Sequence, residues 1–180
     1  MVPRQLTVIK LGGALTAAPA RLALACRSVG ELAARGPVAV VPGGGPFADL
    51  VRQVQQDLGA SDDAAHWMAI LAMDQYAEVL AEKIARAELV HAPDGVNAAL
   101  SAGRVPVLAP SRWLRQADPL AHSWNVTSDS LAAWIAGELG AERLLLVKMR
   151  EGDVSELADV SLRVTAGGLD VRCVTPERME

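Results

Sequence analysis

Leu6-Thr-Val-Ile-Lys-Leu-Gly-Gly13 is the stretch from which the architecture follows. It is a short apolar run, partly β-branched, broken by one lysine and stopped by two glycines. Such a run is a strand buried on both faces, with a tight turn at its end. The same design returns in Pro37-Val-Ala-Val-Val41, which leads into Pro42-Gly-Gly-Gly-Pro46, and in the apolar run Arg143-Leu-Leu-Leu-Val-Lys148.

Helical stretches separate these runs. Residues 16–35 are rich in Ala, Leu and Arg, with Pro19 in the first turn and Gly36 as the stop. From Phe47 to Leu58, the apolar Leu50, Val51, Val54 and Leu58 share one helical face. Ser61-Asp62-Asp63 reads as a helix cap with acids in the first turn, opening a helix expected to reach about Ala87. A short strand at 88–91, a helix over 94–102 and a strand at 105–109 follow, Pro106 suggesting a position that needs no ladder bond. Pro110-Ser111 opens a short helix or loop carrying Trp113, and Thr127 caps a helix that Gly140 ends. The tail stays open: 160–164 and 169–174 read as two strands, with Ala166-Gly-Gly168 permitting a hairpin, or as a frayed helix. Strands and helices that alternate in this way predict an α/β fold, a mostly parallel sheet covered on both faces by helices.

The 180 residues suit one domain, 1–180, and a 51% hydrophobic content excludes disorder. A net charge of −4 without a basic block argues against nucleic acid and anionic membranes as partners. There is no signal-peptide core and no run of about 18 apolar residues, so the expected location is the cytoplasm. Cys26 and Cys173 lack metal-ligand neighbours and read as reduced core thiols. A homo-oligomer is expected; Trp67, Trp113 and Trp134 offer either a dimer surface or core packing.

The chemistry gathers at strand ends. Lys10 closes a buried strand, and a buried cation needs an anion or a route to water; in open α/β sheets ligands bind beyond the carboxyl ends of the strands. Gly43, Gly44 and Gly45 lie between a strand and a helix, where glycine lets backbone N–H groups approach an anion. Neither a Walker loop nor a Gly-x-Gly-x-x-Gly fingerprint is present. Lys148 ends a third strand, and Asp129 sits in the first turn of the Thr127-capped helix. As ordinary dipole complementation Asp129 needs no partner; between Lys10 and Lys148 it would hold both cations for phosphoryl transfer. His66, His122 and Asn125 are candidate substrate contacts, the histidines being equally readable as hydrogen-bonded, half-buried side chains. No metal-binding pattern is visible, so any metal would arrive as Mg²⁺ with a nucleotide.

Lys10-Leu-Gly-Gly13, Pro42-Gly-Gly-Gly45 and Thr127-Ser-Asp129 resemble the amino-acid kinase superfamily, which includes acetylglutamate, uridylate, aspartate and isopentenyl phosphate kinases. The resemblance implies a three-layer α/β/α sandwich, acetylglutamate kinase-like and shortened at its C-terminus. Residues 61–74, Ala109-Pro-Ser-Arg-Trp-Leu114 and His122-Ser-Trp-Asn-Val-Thr-Ser-Asp-Ser-Leu131 look more narrowly like kinases of methanofuran biosynthesis. By that resemblance ATP phosphorylates an aminomethyl-furan-type phosphate. Lys10, Gly12 and Gly13 would hold the ATP phosphates, Gly43–Gly45 the acceptor, Asp129 would organise the lysines and Lys148 would be the second catalytic lysine. Two departures stand out: Ala14 occupies a position usually held by serine, and 149–180 is a reduced nucleotide-side segment. Three readings follow: an active kinase on a furan-type phosphate, a non-catalytic binding or regulatory subunit, or a kinase for another small phosphate.

Overall fold

A computed structural model describes residues 6–150, 152 and 167–179. Six parallel strands form one sheet in the order β3-β4-β2-β1-β5-β6. They are β1 (Thr7–Leu11), β2 (Val38–Pro42), β3 (Ala87–Val90), β4 (Val105–Leu108), β5 (Arg143–Val147) and β6 (Asp170–Val174). The helices are α1 (Pro19–Ala33), α2 (Gly45–Leu58), α3 (Asp62–Lys83), α4 (Pro93–Ser101), α5 (Ser111–Ala117) and α6 (Ser128–Glu138).

The alternation of side chains along β1 explains the layers. Leu6 and Val8 join the core beneath α6, with Leu131, Ala132 and Ile135, whereas Ile9 and Leu11 join the core beneath α1, with Leu22, Ala25 and Val29. β2 and β5 split in the same way, so the sheet is apolar on both faces, as a parallel sheet between two helical layers must be. Helix α3 serves both cores: Ile70 and Met73 enter the first, Tyr76, Ala77 and Leu80 the second. Each fully buried aliphatic side chain contributes about 1.5–3 kcal/mol.

Four sequence expectations need correction or narrowing. The segment before Pro19 is a separate 3₁₀ turn, Gly13–Ala17, and Pro19 itself starts α1, where its missing N–H costs nothing. α3 stops at Lys83 rather than near Ala87, because Arg86 turns at positive φ and Ala87 pairs with Val105 in the sheet. β4 is an interior strand despite Pro106; its register with β2 sets Val107 opposite Val40. In the tail, β6 lies parallel to β5, while 160–164 and the hairpin it would form lie outside the described residues.

Cys26 is buried on α1, and burial pushes its thiol up to about 11, so it stays protonated. Cys173 is half-buried in β6. Trp113 and Trp134 meet with ring centroids 5.1 Å apart and, like Trp67, pack partly buried against the α6-side core. No helix among the described residues is long and apolar enough to cross a membrane.

Candidate active site

Sheet geometry brings the two candidate lysines together. Lys10 follows Leu6 and Val8 on the face covered by α6, and Lys148 follows Leu144 and Leu146 on that same face. β1 and β5 are neighbours with Lys10 opposite Leu146, so Lys148 lies two residues further toward the carboxyl edge. The N-terminus of α6 points to this spot, carrying Asp129 in its first turn; Thr127 Oγ1 caps the helix by accepting from the Asp129 N–H at 3.2 Å.

Asp129 divides its carboxylate between the lysines. Lys10 Nζ lies 2.7 Å from Oδ1, and Lys148 Nζ donates to Oδ2. Burial alone would raise the Asp129 pKa, but Lys10 and Lys148 outweigh it and hold the group below the ordinary carboxylate value of 3.8. Lys10 is only 4% exposed, so without Asp129 its charge would be stranded. The chain has just three lysines, Lys10, Lys83 and Lys148, and two of them converge here.

The two glycine loops stack directly on each other. The Gly12 N–H donates to the Val147 carbonyl at 3.0 Å, and the Gly43 N–H donates to the Leu11 carbonyl at 2.9 Å. A Cβ on Gly43 would come within 2.7 Å of the Gly13 nitrogen, and Gly45 adopts φ +58°. Larger residues are excluded by backbone, not by side chains that could swing aside.

Beyond the loops opens a cavity of about 730 Å³. Gly13 and Ala14 border it on one side, Gly44 and Gly45 at the start of α2 on another, and Thr127 and Ser128 at the start of α6 on a third. Two helix N-termini thus face one space, which favours an anion there. Apolar side chains such as Ile70, Met73 and Leu131 line much of the remainder, with Asp49 and Arg52 from α2, Asp62 and His66 from α3, and Trp124 among them. The Arg52 guanidinium lies 4.0 Å from the Trp124 ring centroid, and the Trp124 indole N–H donates to Gln55 Oε1 at 2.6 Å. Gln55 Nε2 in turn donates to Asp62 at 2.9 Å.

Of the expected site residues, Lys10, Asp129 and Lys148 come together, and Gly13, Gly44, Gly45 and His66 line the cavity. Lys10, Asp129, Lys148, Gly12, Gly43, His122 and Asn125 are not among its lining residues. Both ring nitrogens of His122 face carboxylates, Nδ1 to Asp63 at 2.7 Å and Nε2 to Asp118 at 2.8 Å. Carboxylates only accept, so the ring serves both best as an imidazolium, and these two hydrogen bonds raise its pKa. His66 stacks on it at 4.1 Å, and burial together with that neighbouring charge lowers the His66 pKa. His122 therefore ties α3 to the 118–127 segment that walls the cavity.

Nothing in the sequence sets Arg52 or Gln55 apart as site residues. Asp62 reads as an ordinary helix-start acid, and its proximity to Trp124 arises only through packing. Trp124 was visible only within the 122–131 stretch.

Residues 5–152 match the amino acid kinase family, and the chain belongs to it. It is 30% identical over 145 residues to the [5-(aminomethyl)furan-3-yl]methyl phosphate kinase of Methanocaldococcus jannaschii, covering 81% of this chain and 66% of that protein. The match thus spans slightly under two thirds of that relative's length. Among solved structures, the uridylate kinase of Archaeoglobus fulgidus superimposes with a TM-score of 0.71 at 17% identity, covering 97% of this chain and 93% of the other. The UMP kinase of Bacillus anthracis gives 0.72 at 13% identity, covering 98% and 89%. At such identities the agreement establishes the fold: a parallel sheet between helical layers.

Proposed function

We propose that this chain transfers the γ-phosphoryl group of ATP to the phosphate of a small acceptor, an aminomethyl-furan-type phosphate of a methanofuran-like cofactor route. The observation that carries the reading is the carboxylate of Asp129 shared between Lys10 and Lys148, next to the Gly12 loop and within the first turn of α6. An acceptor phosphate oxygen attacks the γ-phosphorus, the bond to the bridging oxygen of ADP breaks, and a phosphoric anhydride forms. Two anions must approach each other, so fixed cations and oriented N–H groups do most of the work.

In this reading Lys10, with the backbone of Gly12 and Gly13, holds the ATP phosphates. Lys148 supplies the second cation, and Gly43–Gly45 cradle the acceptor phosphate. Asp129 engages both lysines and aims them. Mg²⁺ carried by ATP would add further charge neutralisation. Glycine lets the two loops pack backbone against backbone, where a Cβ would occupy space held by the neighbouring chain, and such loops can turn N–H groups toward an anion. Trp124 offers a flat surface to a ring, and Asp49 and Asp62 offer counter-charges to an amine. The aminomethyl-furan assignment is supported by the Methanocaldococcus relative.

The test is a panel assay with ATP and Mg²⁺, offering the aminomethyl-furan phosphate, UMP and isopentenyl phosphate, read by ADP release and ³¹P NMR. Diphosphate formed from the furan compound alone is the expected result. Turnover of another phosphate would move the acceptor assignment. No turnover, with no binding of an ATP analogue at millimolar concentration, would overturn the catalytic reading in favour of a non-catalytic binding subunit.

A further inference from the structure

Arg21 has no role in the phosphoryl-transfer scheme, yet each of its three guanidinium nitrogens donates a hydrogen bond. Nε donates to Glu177 Oε1 at 2.9 Å and Nη2 donates to Oε2 at 2.8 Å, a two-pronged grip. Nη1 donates to the carbonyl of Met149 at 2.6 Å, joining residues 128 apart in sequence. Met149 directly follows Lys148. The Lys148 N–H donates to the Val174 carbonyl at 2.8 Å, so the backbone is held on both sides of that lysine. β6 holds one side, and Arg21 on α1 holds the other. Glu177, in the 3₁₀ turn Pro176–Arg178, fixes the guanidinium.

This arrangement matters because lysine has a long flexible stem. Its ammonium goes where its backbone and its ion partner send it. β5 ends at Val147, so Lys148 lies just past the last residue that strand pairing with β1 orders. We propose that Arg21 is a positioning residue for Lys148: braced by Glu177, it fixes the Met149 carbonyl and thereby keeps the Lys148 ammonium on Asp129. An exposed ion pair adds little to global stability, so the effect belongs to the geometry of Lys148 rather than to folding. The kinetic form of the proposal rests on the phosphoryl-transfer reading.

The experiment compares the full chain with Arg21→Ala, Arg21→Lys and Glu177→Gln, each also combined with Lys148→Met, by steady-state kinetics and by NMR of ¹³Cε-labelled lysine. With only three lysines in the chain, Lys148→Met assigns the relevant resonance. Arg21→Ala is expected to lower kcat by about 10- to 100-fold, the scale of a small misplacement of a catalytic group, with the acceptor KM little changed. Arg21→Lys, which lacks the fork, should not restore the rate. Glu177→Gln should fall between Arg21→Ala and the parent, and free guanidinium should partly rescue Arg21→Ala. In the Lys148→Met background the Arg21→Ala penalty should disappear. An undiminished penalty there, or unchanged kcat in Arg21→Ala, would overturn the proposal. If the parent chain transfers no phosphate, the transfer reading fails by itself and the NMR arm decides. Movement of the Lys148 signal in Arg21→Ala, with Lys83 unmoved, supports positioning; an unmoved Lys148 signal overturns it.

Discussion

Gly13 and Gly45 approach so closely that a Cβ added to Gly13 would sit 2.2 Å from the Gly45 nitrogen and 2.3 Å from its Cα. The loop after β1 and the loop after β2 are therefore one packed unit, and the atoms in contact are backbone that cannot swing away. Gly13→Ala is expected to force the loops apart, at about 1–3 kcal/mol in urea unfolding, and to depress turnover. Gly36→Ala is the control, since a Cβ there meets nothing within 4 Å. Equal unfolding midpoints for the two variants would contradict the close packing.

Removing either side of the buried ion cluster should affect rate and stability differently. Lys10→Ala is expected to lower kcat/KM by about 10²–10³-fold, the usual loss for one preorganised charge-stabilising group. Asp129→Ala leaves Lys10 buried without its counter-charge, and about 3–5 kcal/mol of stability should go with it. Asp129→Asn keeps the shape and separates the charge effect from the cavity effect. Chemical denaturation together with initial rates measures both, and near-parent turnover in Lys10→Ala would sink the assigned mechanism.

Acid should expose the same cluster. The folded-state pKa of Asp129 lies below its ordinary value of 3.8. The stabilisation is therefore fully present above that value and is lost as pH falls through the folded pKa. Urea midpoints measured from pH 6 downward, on the order of one pH unit apart, should fall more steeply for the parent than for Asp129→Asn. Parallel curves would show that Asp129 carries no such linkage.

His122 predicts an effect of opposite sign. Its pKa is raised above 6.5 by Asp118 and Asp63. The stabilisation it confers is present below 6.5 and disappears as pH rises through the folded value. The 118–127 segment should then loosen from α3, and the acceptor KM should climb on the alkaline side in the parent but stay flat in His122→Gln. NMR titration of the histidine ring protons should place His122 above 6.5 and His66 below it. The reverse order would refute the paired arrangement.

Much of the candidate site is legible in the sequence because it lies on strand ends and helix starts. A lysine interrupting an apolar run, as at Lys10, stands out by composition, and glycines between a strand and a helix mark where backbone must come close. Asp129 was recognisable through the Thr127 cap, although an acid in a first turn is common enough to mean nothing by itself. By sequence His122 is a candidate substrate contact, yet the fold commits both its nitrogens to carboxylates. Asp63 and Asp118 are remote from each other in the chain, and nothing local announces that a ring will sit between them. Arg21 left no sequence signal, because an arginine on an Ala-rich helix looks like any solvated side chain.

From the order of residues alone come the parallel α/β sheet, the two glycine loops and the charged residues at strand ends and a helix start, while their kinase-like roles come with the family resemblance. Those properties are local: apolar runs set strands, spacing sets helix faces, and glycine sets the turns. Only the tertiary structure decided that Lys10 and Lys148 share one carboxylate, because that depends on β1 lying beside β5 in a register that puts both on the α6 face. It also decided that β6 pairs parallel to β5, and that Arg21 reaches the residue after Lys148. Contacts between residues so far apart in the chain arise only when burial of both sheet faces brings their elements together.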